Sequence, residues 1–556
     1  MNYRNFVDAC RCLVLPRHVL GRALKFAAAV GVLAVLLAPP AKNSLLAQPD
    51  ETPAAKRDDG HLRLHARTRV ETAKGSGRFH TIEKQLDWRA NETAVVVCDM
   101  WDDHWCRGAA ARVAEMAPHM NEFLMAARRR GALIIHCPSE CMEFYKDTPQ
   151  RRRAMAAAKV ETSRPLERWC GLDKDREAAL PIDDADGGCD CDPQCKHGAP
   201  WKRQIATLEI AAEDAITDNA EAYYLMRERG IKNVVVLGVH ANMCVLGRPF
   251  SIRQMVYQGQ NVVLVRDLTD TMYNSRSKPI VSHFTGTDLV VEHIERHWCP
   301  TILSTDLAGD KEFRFAEDKR PTVAVLMAED EYETERTLTD FAREHLAKDM
   351  RTSLIYGNEK DRDDVPGIEA IRHADVLLVS ARRRVLPTEQ LKAVRDHVAA
   401  GKGVVGIRTA SHGFSVLGSR KVESGRDVWP EFDHDVLGGN YTGHYGQDDK
   451  AKDQTVVRIV PAAADHPILH GVGTKEFAAA GFGSPSWLYK VSPLAATATP
   501  LLMGRAGDNA AEPVAWTNRA GKCRVFYTSL GHKDDFKNPA FVRLLENGVR
   551  WAAAKQ

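Results

Sequence analysis

Two series of short, β-branched apolar runs separated by helical patterns constrain this chain more than any other feature. In the first series, strands are predicted over residues 94–98, 132–137, 233–239 and 261–266, with helices over 110–130, 220–229 and 243–258. Runs that are apolar throughout, rather than alternating, belong to strands buried on both faces, as in a parallel sheet covered by helices. A second series follows a charged connection at 311–320. Its strands are predicted over 322–327, 353–356, 375–380 and 403–408, and its helices over 333–347 and 387–400. The last of these opens with Pro387 in its first turn and closes on Gly401. The expected fold class is α/β, with two doubly wound parallel-sheet domains of three αβα layers. No internal repeat relates the two halves.

A length of 556 residues, at roughly 150 per domain, leaves room for two to four domains. Hydrophobic residues at 44% and charged residues at 27% exclude a disordered or fibrous chain. The net charge of +2 offers no footprint for nucleic acid. The first 47 residues differ from the rest. Arg4, Arg11, Arg17, Arg22, Lys25 and Lys42 stand against the single acid Asp8 and flank the apolar run AAAVGVLAVLLA at 27–38, which Pro39 and Pro40 end. A basic start, a run too short to span a bilayer and small residues beyond it read as an export signal, cut after Ala47. The expected organisation is therefore a signal at 1–47, a linker with an irregular lead-in at 48–90, a first domain at 91–310 and a second at 320–556. The expected location is exported, periplasmic or extracellular, with no membrane segment left after cleavage. Loss of Cys10 and Cys12 leaves 11 of the 13 cysteines, an odd number that points to disulfides plus a free thiol.

One thiol has a distinctive setting. In VVVLGVHANMCV at 234–245, a buried strand ends in Gly238, turns, and enters a helix whose first turn carries Cys244. A helix start lowers a thiol pKa, and the N–H groups just before it can face a developing oxyanion. The alternative is that Cys244 is a small buried hydrophobe. Asp99 ends the strand in VVVCDMWDD at 95–103, and Lys202 lies in PWKRQ at 200–204. Carboxyl ends of parallel strands converge on the ligand crevice of such sheets. Asp99, Lys202 and Cys244 together resemble the Asp-Lys-Cys triad of the isochorismatase-like cysteine hydrolases, which include nicotinamidases and N-carbamoylsarcosine amidohydrolases. The resemblance spans roughly residues 91–304.

That resemblance implies cleavage of an amide-like C–N bond of a small molecule through a Cys244 acyl-enzyme. Asp99 would act as the proton carrier and Lys202 would orient it. It also implies a cis peptide at Val239–His240, with oxyanion donors from Ala241 and Cys244 or their neighbours. Trp101 stands where many members have Gln, and HCPSE at 136–140 stands where nicotinamidases carry an Asp-x-His metal motif. No metal site and no cofactor are therefore assigned. Trp101, His104, His136 and Tyr273 are candidate pocket residues. The insert at 163–200 holds Cys170, Cys189, Cys191 and Cys195. It lacks paired CxxC spacing, and a local disulfide such as Cys189 to Cys195 is expected. HFTGTD at 283–288 reads as a turn into a helix. The family often forms homo-oligomers.

In the second domain, GVVGIRTASH at 403–412 places Arg408 where glutamine amidotransferases of the flavodoxin-like fold carry their nucleophilic Cys, which excludes thiol chemistry there. With DHDVLGG at 433–439, YTGH at 441–444, DHPI at 465–468 and VFYTSLGH at 525–532, the segment 321–554 resembles the trehalose-utilisation (ThuA-like) family. That implies a flavodoxin-like, class I glutamine amidotransferase-like domain with a carbohydrate-related role suggested by the family name alone. Arg408, His412, His444 and His532, with His434, form a candidate polar site; the alternative is that each histidine caps a loop. A different class of reading is a non-catalytic carbohydrate-binding or scaffold protein with a degenerate hydrolase domain.

Overall fold

The computed structural model describes residues 60–445, 454–473 and 481–554; the expected signal lies outside them. The first sheet contains eight strands: β1 (His61–Glu71), β2 (Phe79–Arg89), β3 (Thr93–Cys98), β4 (Leu133–Cys137), β5 (Ala215–Ile216), β6 (Asn233–Val239), β7 (Asn261–Asp270) and β8 (Thr301–Ile302). Their spatial order is β2-β1-β8-β7-β6-β3-β4-β5. The strands from β8 to β5 are mutually parallel. Successive residues of β3 face opposite ways. Val95 and Val97 pack with Val113, Met116 and Phe123 of the helix Arg107–Arg129, while Ala94, Val96 and Cys98 share the other core with Phe250 and Ile294. This is the three-layer α/β arrangement the apolar runs predict.

The second sheet has nine strands: β9 (Thr322–Ala328), β10 (Arg351–Tyr356), β11 (Val376–Ala381), β12 (Gly403–Ile407), β13 (Thr455–Ile459), β14 (Phe482–Ser484), β15 (Thr499–Arg505), β16 (Glu512–Ala520) and β17 (Cys523–Thr528). In the order β10-β9-β11-β12-β17 it is parallel, and it continues through β16, β15, β13 and β14 in antiparallel pairs. Val323 and Val325 face one core, Ala324 and Leu326 the other. Among the described residues no helix is long and apolar enough to cross a membrane.

Two expectations need correction. The linker expected over 48–90 contains a regular antiparallel hairpin, β1 paired with β2 throughout, which extends the first sheet along one edge. Only one face of β1 carries apolar residues (Leu62, Leu64, Ala66). Its polar look comes from the outward face and from Arg67 and Arg69, whose Nε atoms donate to the buried Glu295 carboxylate at 2.7 and 2.9 Å. The helix expected over 243–258 is broken into Cys244–Gly247 and Ile252–Tyr257. Pro249 excludes the helical conformation from the residue before it, and Arg248 is extended at ψ 160.

Candidate active site

β3 and β6 are adjacent and parallel, so their carboxyl ends bring Asp99 and the 239–244 turn to one place. Gly238 makes the approach possible. Its φ is +108, and a Cβ there would lie 2.1 Å from the Cys98 carbonyl oxygen, a position only glycine tolerates. The Val239–His240 peptide that follows is cis. Asp99 itself holds φ 48, a left-handed conformation uncommon outside glycine and typical of functional sites.

The Asp99 carboxylate is fully buried. Its Oδ1 accepts the Ser139 N–H at 2.7 Å, whereas Oδ2 has no hydrogen-bond partner among the described residues. Arg248 Nε lies 3.5 Å from that Oδ2, and the Cys244 thiol interacts with both groups. Burial pushes the thiol pKa up and the Asp99 charge pushes it further, with Arg248 opposing both. Burial also raises the Asp99 carboxyl above its ordinary value, against the pull of Arg248 and Cys244. Burial and the Asp99 charge both run opposite to the lowered thiol pKa expected from a helix start. The helix behind Cys244 is a single turn, too short to outweigh desolvation and a neighbouring carboxylate. Burial and charge thus bias the site toward a thiol beside a carboxyl group that could take its proton.

The structure does not bring Lys202 to this pair. Its side chain is exposed, its backbone N–H donates to Asp102 Oδ1 at 3.0 Å, and among the described residues no contact joins its ammonium to Asp99 or Cys244. The cation at the site is Arg248, four residues beyond the thiol. The Pro249 break swings it out of helical register, and Trp169 (5.8 Å from guanidinium carbon to ring centroid) and Glu140 (4.0 Å) flank it. Sequence reasoning missed Arg248. The Gly-Arg-Pro order that begins three residues beyond the thiol is the signal that could have found it.

Of the expected oxyanion donors, Ala241 is already engaged, its N–H donating to the Asp270 carbonyl at 2.7 Å. The Cys244 N–H makes no hydrogen bond among the described residues. His240 is buried, its Nε2 lacks a partner among the described residues and burial holds its pKa well below the ordinary value. His104 lies edge-on to it at 5.1 Å, accepts the Cys106 N–H on Nδ1 and is brought down to about 4 by burial. Trp101 stacks on Trp201 at 4.6 Å, and His104 on Trp201 at 5.7 Å, forming an aromatic wall beside Asp99. Two pocket candidates are structural instead. His136 is fully buried with both ring nitrogens occupied, Nδ1 by Gln204 and Nε2 by Asp214. Tyr273 is a core residue whose hydroxyl donates to the Ser277 carbonyl. HFTGTD at 283–288 opens the helix His283–His297, with Ser282 accepting the Thr285 N–H.

The second sheet repeats the geometry. Arg408 follows β12 with φ 44 and is buried. Its guanidinium sits over the Tyr332 and Tyr489 rings at 4.3 and 4.8 Å and donates to the Ser529 carbonyl at 2.8 Å, leaving Nε without a partner. His532 lies against Tyr332, His444 against Trp487 and Tyr489, and His412 stacks on Tyr441 at 4.6 Å. Burial lowers His412 to about 3, with Arg383, Arg382 and Arg408 adding to the effect. His412, His444 and His532 therefore gather with Tyr332, Tyr441, Tyr489 and Trp487 around the Arg408 guanidinium at the strand ends. His434 does not join them; it is exposed and pairs with Asp435.

These two sheets, each with a cluster of buried polar and aromatic side chains at its strand ends, define an α/β protein of two doubly wound units. Within it, residues 358–552 match the family model ThuA, described as trehalose utilisation. No curated protein matches the chain. Similar solved structures include a ThuA-like protein from Parabacteroides merdae (15% identity, TM-score 0.32, covering 42% of this chain and 91% of that one). Others are a cysteine hydrolase from Pseudomonas syringae pv. phaseolicola (15%, 0.25, 39% and 92%) and an N-carbamoylsarcosine amidase from Thermoplasma acidophilum (14%, 0.23, 39% and 99%).

Proposed function

We propose that the protein is an exported thiol hydrolase of the isochorismatase-like type, cleaving an amide-like C–N bond of a small molecule. The observation that carries this reading is the buried Asp99 carboxylate set between the Cys244 thiol and the Arg248 cation. In the first half-reaction the thiol proton passes to Asp99 Oδ2 while Sγ bonds to the substrate carbonyl carbon. The oxyanion accepts the Cys244 N–H. Collapse breaks the C–N bond, and Asp99 returns the proton to the leaving nitrogen. Water then attacks the thioester, giving its proton to Asp99, and the thiol is regenerated. Arg248 takes the place Lys202 was expected to fill, stabilising negative charge as it moves between carboxylate and sulfur. Replacing Cys244 by Ala or Ser should abolish hydrolysis of an amide panel; unchanged hydrolysis would refute the assignment.

The Arg408 cluster favours a second reading, in which the ThuA-type unit binds a polar, carbohydrate-related ligand, with or without catalysis in the first. Aromatic rings and a partly unsatisfied guanidinium suit a hydroxyl-rich or anionic ligand. Saccharide binding that survives Cys244→Ala and is lost in Arg408→Leu would support it, and binding indifferent to Arg408 would not.

A further inference from the structure

Residues 157–214 form no helix or strand beyond one isolated bridge, Trp101 to Gln204. A segment this long needs something to hold it. The disulfide expected within it is not formed: Cys189, Cys191 and Cys195 are free thiols, as is Cys106. Instead Cys189 and Cys191 meet Cys106, the residue that opens the helix Arg107–Arg129, and Cys195 packs against the same cluster. The sulfurs of Cys106, Cys189 and Cys191 lie within 4.8 Å of one another, with Cys106 and Cys191 at 3.9 Å. Cys195 interacts with both Cys189 and Cys191. Sulfurs at 2.3 Å from a shared zinc stand about 3.8 Å apart along a tetrahedral edge, whereas bonded sulfurs are at about 2.05 Å.

Two of the sulfurs also accept a backbone N–H. Gly108 donates to Cys191 at 3.3 Å and Cys195 to Cys189 at 3.4 Å. The Ala109 and Arg107 N–H groups act on the Cys106 and Cys195 thiols in the direction that favours thiolate. Arg107, Gly108 and Ala109 belong to the first turn of a long helix, the positive end that favours clustered thiolates. We propose that Cys106, Cys189, Cys191 and Cys195 form a structural tetrathiolate zinc site. On binding, the four thiols release their protons to solvent and four Zn–S bonds form, leaving no open position for substrate. The site would brace the catalytic loop from both sides. Cys106 follows directly on the stretch carrying Asp99, Trp101 and His104, and Met243, the residue before Cys244, packs against the cluster. The sequence hid this site because one ligand comes from far outside the Cys-x-Cys-x3-Cys stretch.

Elemental analysis of the full chain, purified without chelator or added metal, should find about one zinc per chain, lost in Cys106→Ser and in Cys191→Ser but kept in Cys170→Ser, which alters an insert cysteine outside the cluster. Where a variant does not fold, the wild-type chain itself decides: with zinc exchanged for cobalt, it should give the charge-transfer and visible bands of a tetrahedral thiolate site. A zinc-free wild-type chain, with these cysteines recovered as disulfides or as freely alkylated thiols, would overturn the proposal. Cys244→Ala should keep its zinc, so failure of the hydrolase reading and failure of this one are separable.

Discussion

Arg248 Nε faces Asp99 Oδ2 across 3.5 Å without a hydrogen bond between them, and the Cys244 thiol interacts with both groups. The two charges act on the sulfur in opposite senses: Asp99 raises its pKa and Arg248 lowers it. Asp99→Asn should therefore speed alkylation of Cys244 by iodoacetamide several-fold near pH 8, even though hydrolysis is lost with the base. Arg248→Met should slow alkylation. Peptide-level mass spectrometry of the three proteins gives the order; if Asp99→Asn alkylates more slowly than wild type, the proposed coupling is wrong.

What the sequence revealed and what it concealed divide along physical lines. β3 and β6 were legible because uninterrupted valine runs have no reading other than buried parallel strands, and their ends fixed Asp99 and Cys244. Arg248 was hidden because a residue four beyond a helix start is ordinarily placed by helical periodicity, which Pro249 cancels. Lys202 was drawn in by the resemblance to an Asp-Lys-Cys triad, yet an ammonium with no buried partner stays in water. The β1–β2 hairpin looked like a linker because an edge strand buries one face only.

Gly238 should admit no side chain. In Gly238→Ala the new Cβ meets the Cys98 carbonyl oxygen, and the left-handed φ is strained besides. The expected cost is about 3 kcal/mol or more in denaturant unfolding, with loss of hydrolysis in whatever folds. A variant within about 0.5 kcal/mol of wild type would contradict the close approach of β6 to β3.

Asp433 gives the second unit a pH signature. Burial raises its carboxyl from 3.8 to about 6; Oδ2 accepts the Tyr441 N–H and Oδ1 has no partner. The folded state binds this proton more tightly than the unfolded chain does. Its contribution is therefore full below pH about 4 and is lost as pH rises through about 6, a swing of order 3 kcal/mol at most. Asp433→Asn, which can still accept from Tyr441, should flatten the pH dependence of unfolding between pH 4 and about 7. An unchanged profile would show that Asp433 titrates normally.

The most direct test of the catalytic account is the hydrolysis rate on an amide panel for wild type, Lys202→Ala and Arg248→Met, measured side by side on the full chain. The account predicts Lys202→Ala within about twofold of wild type and Arg248→Met reduced at least about 100-fold. Loss of activity in Lys202→Ala with Arg248→Met unaffected, or no hydrolysis by the wild type, would contradict it.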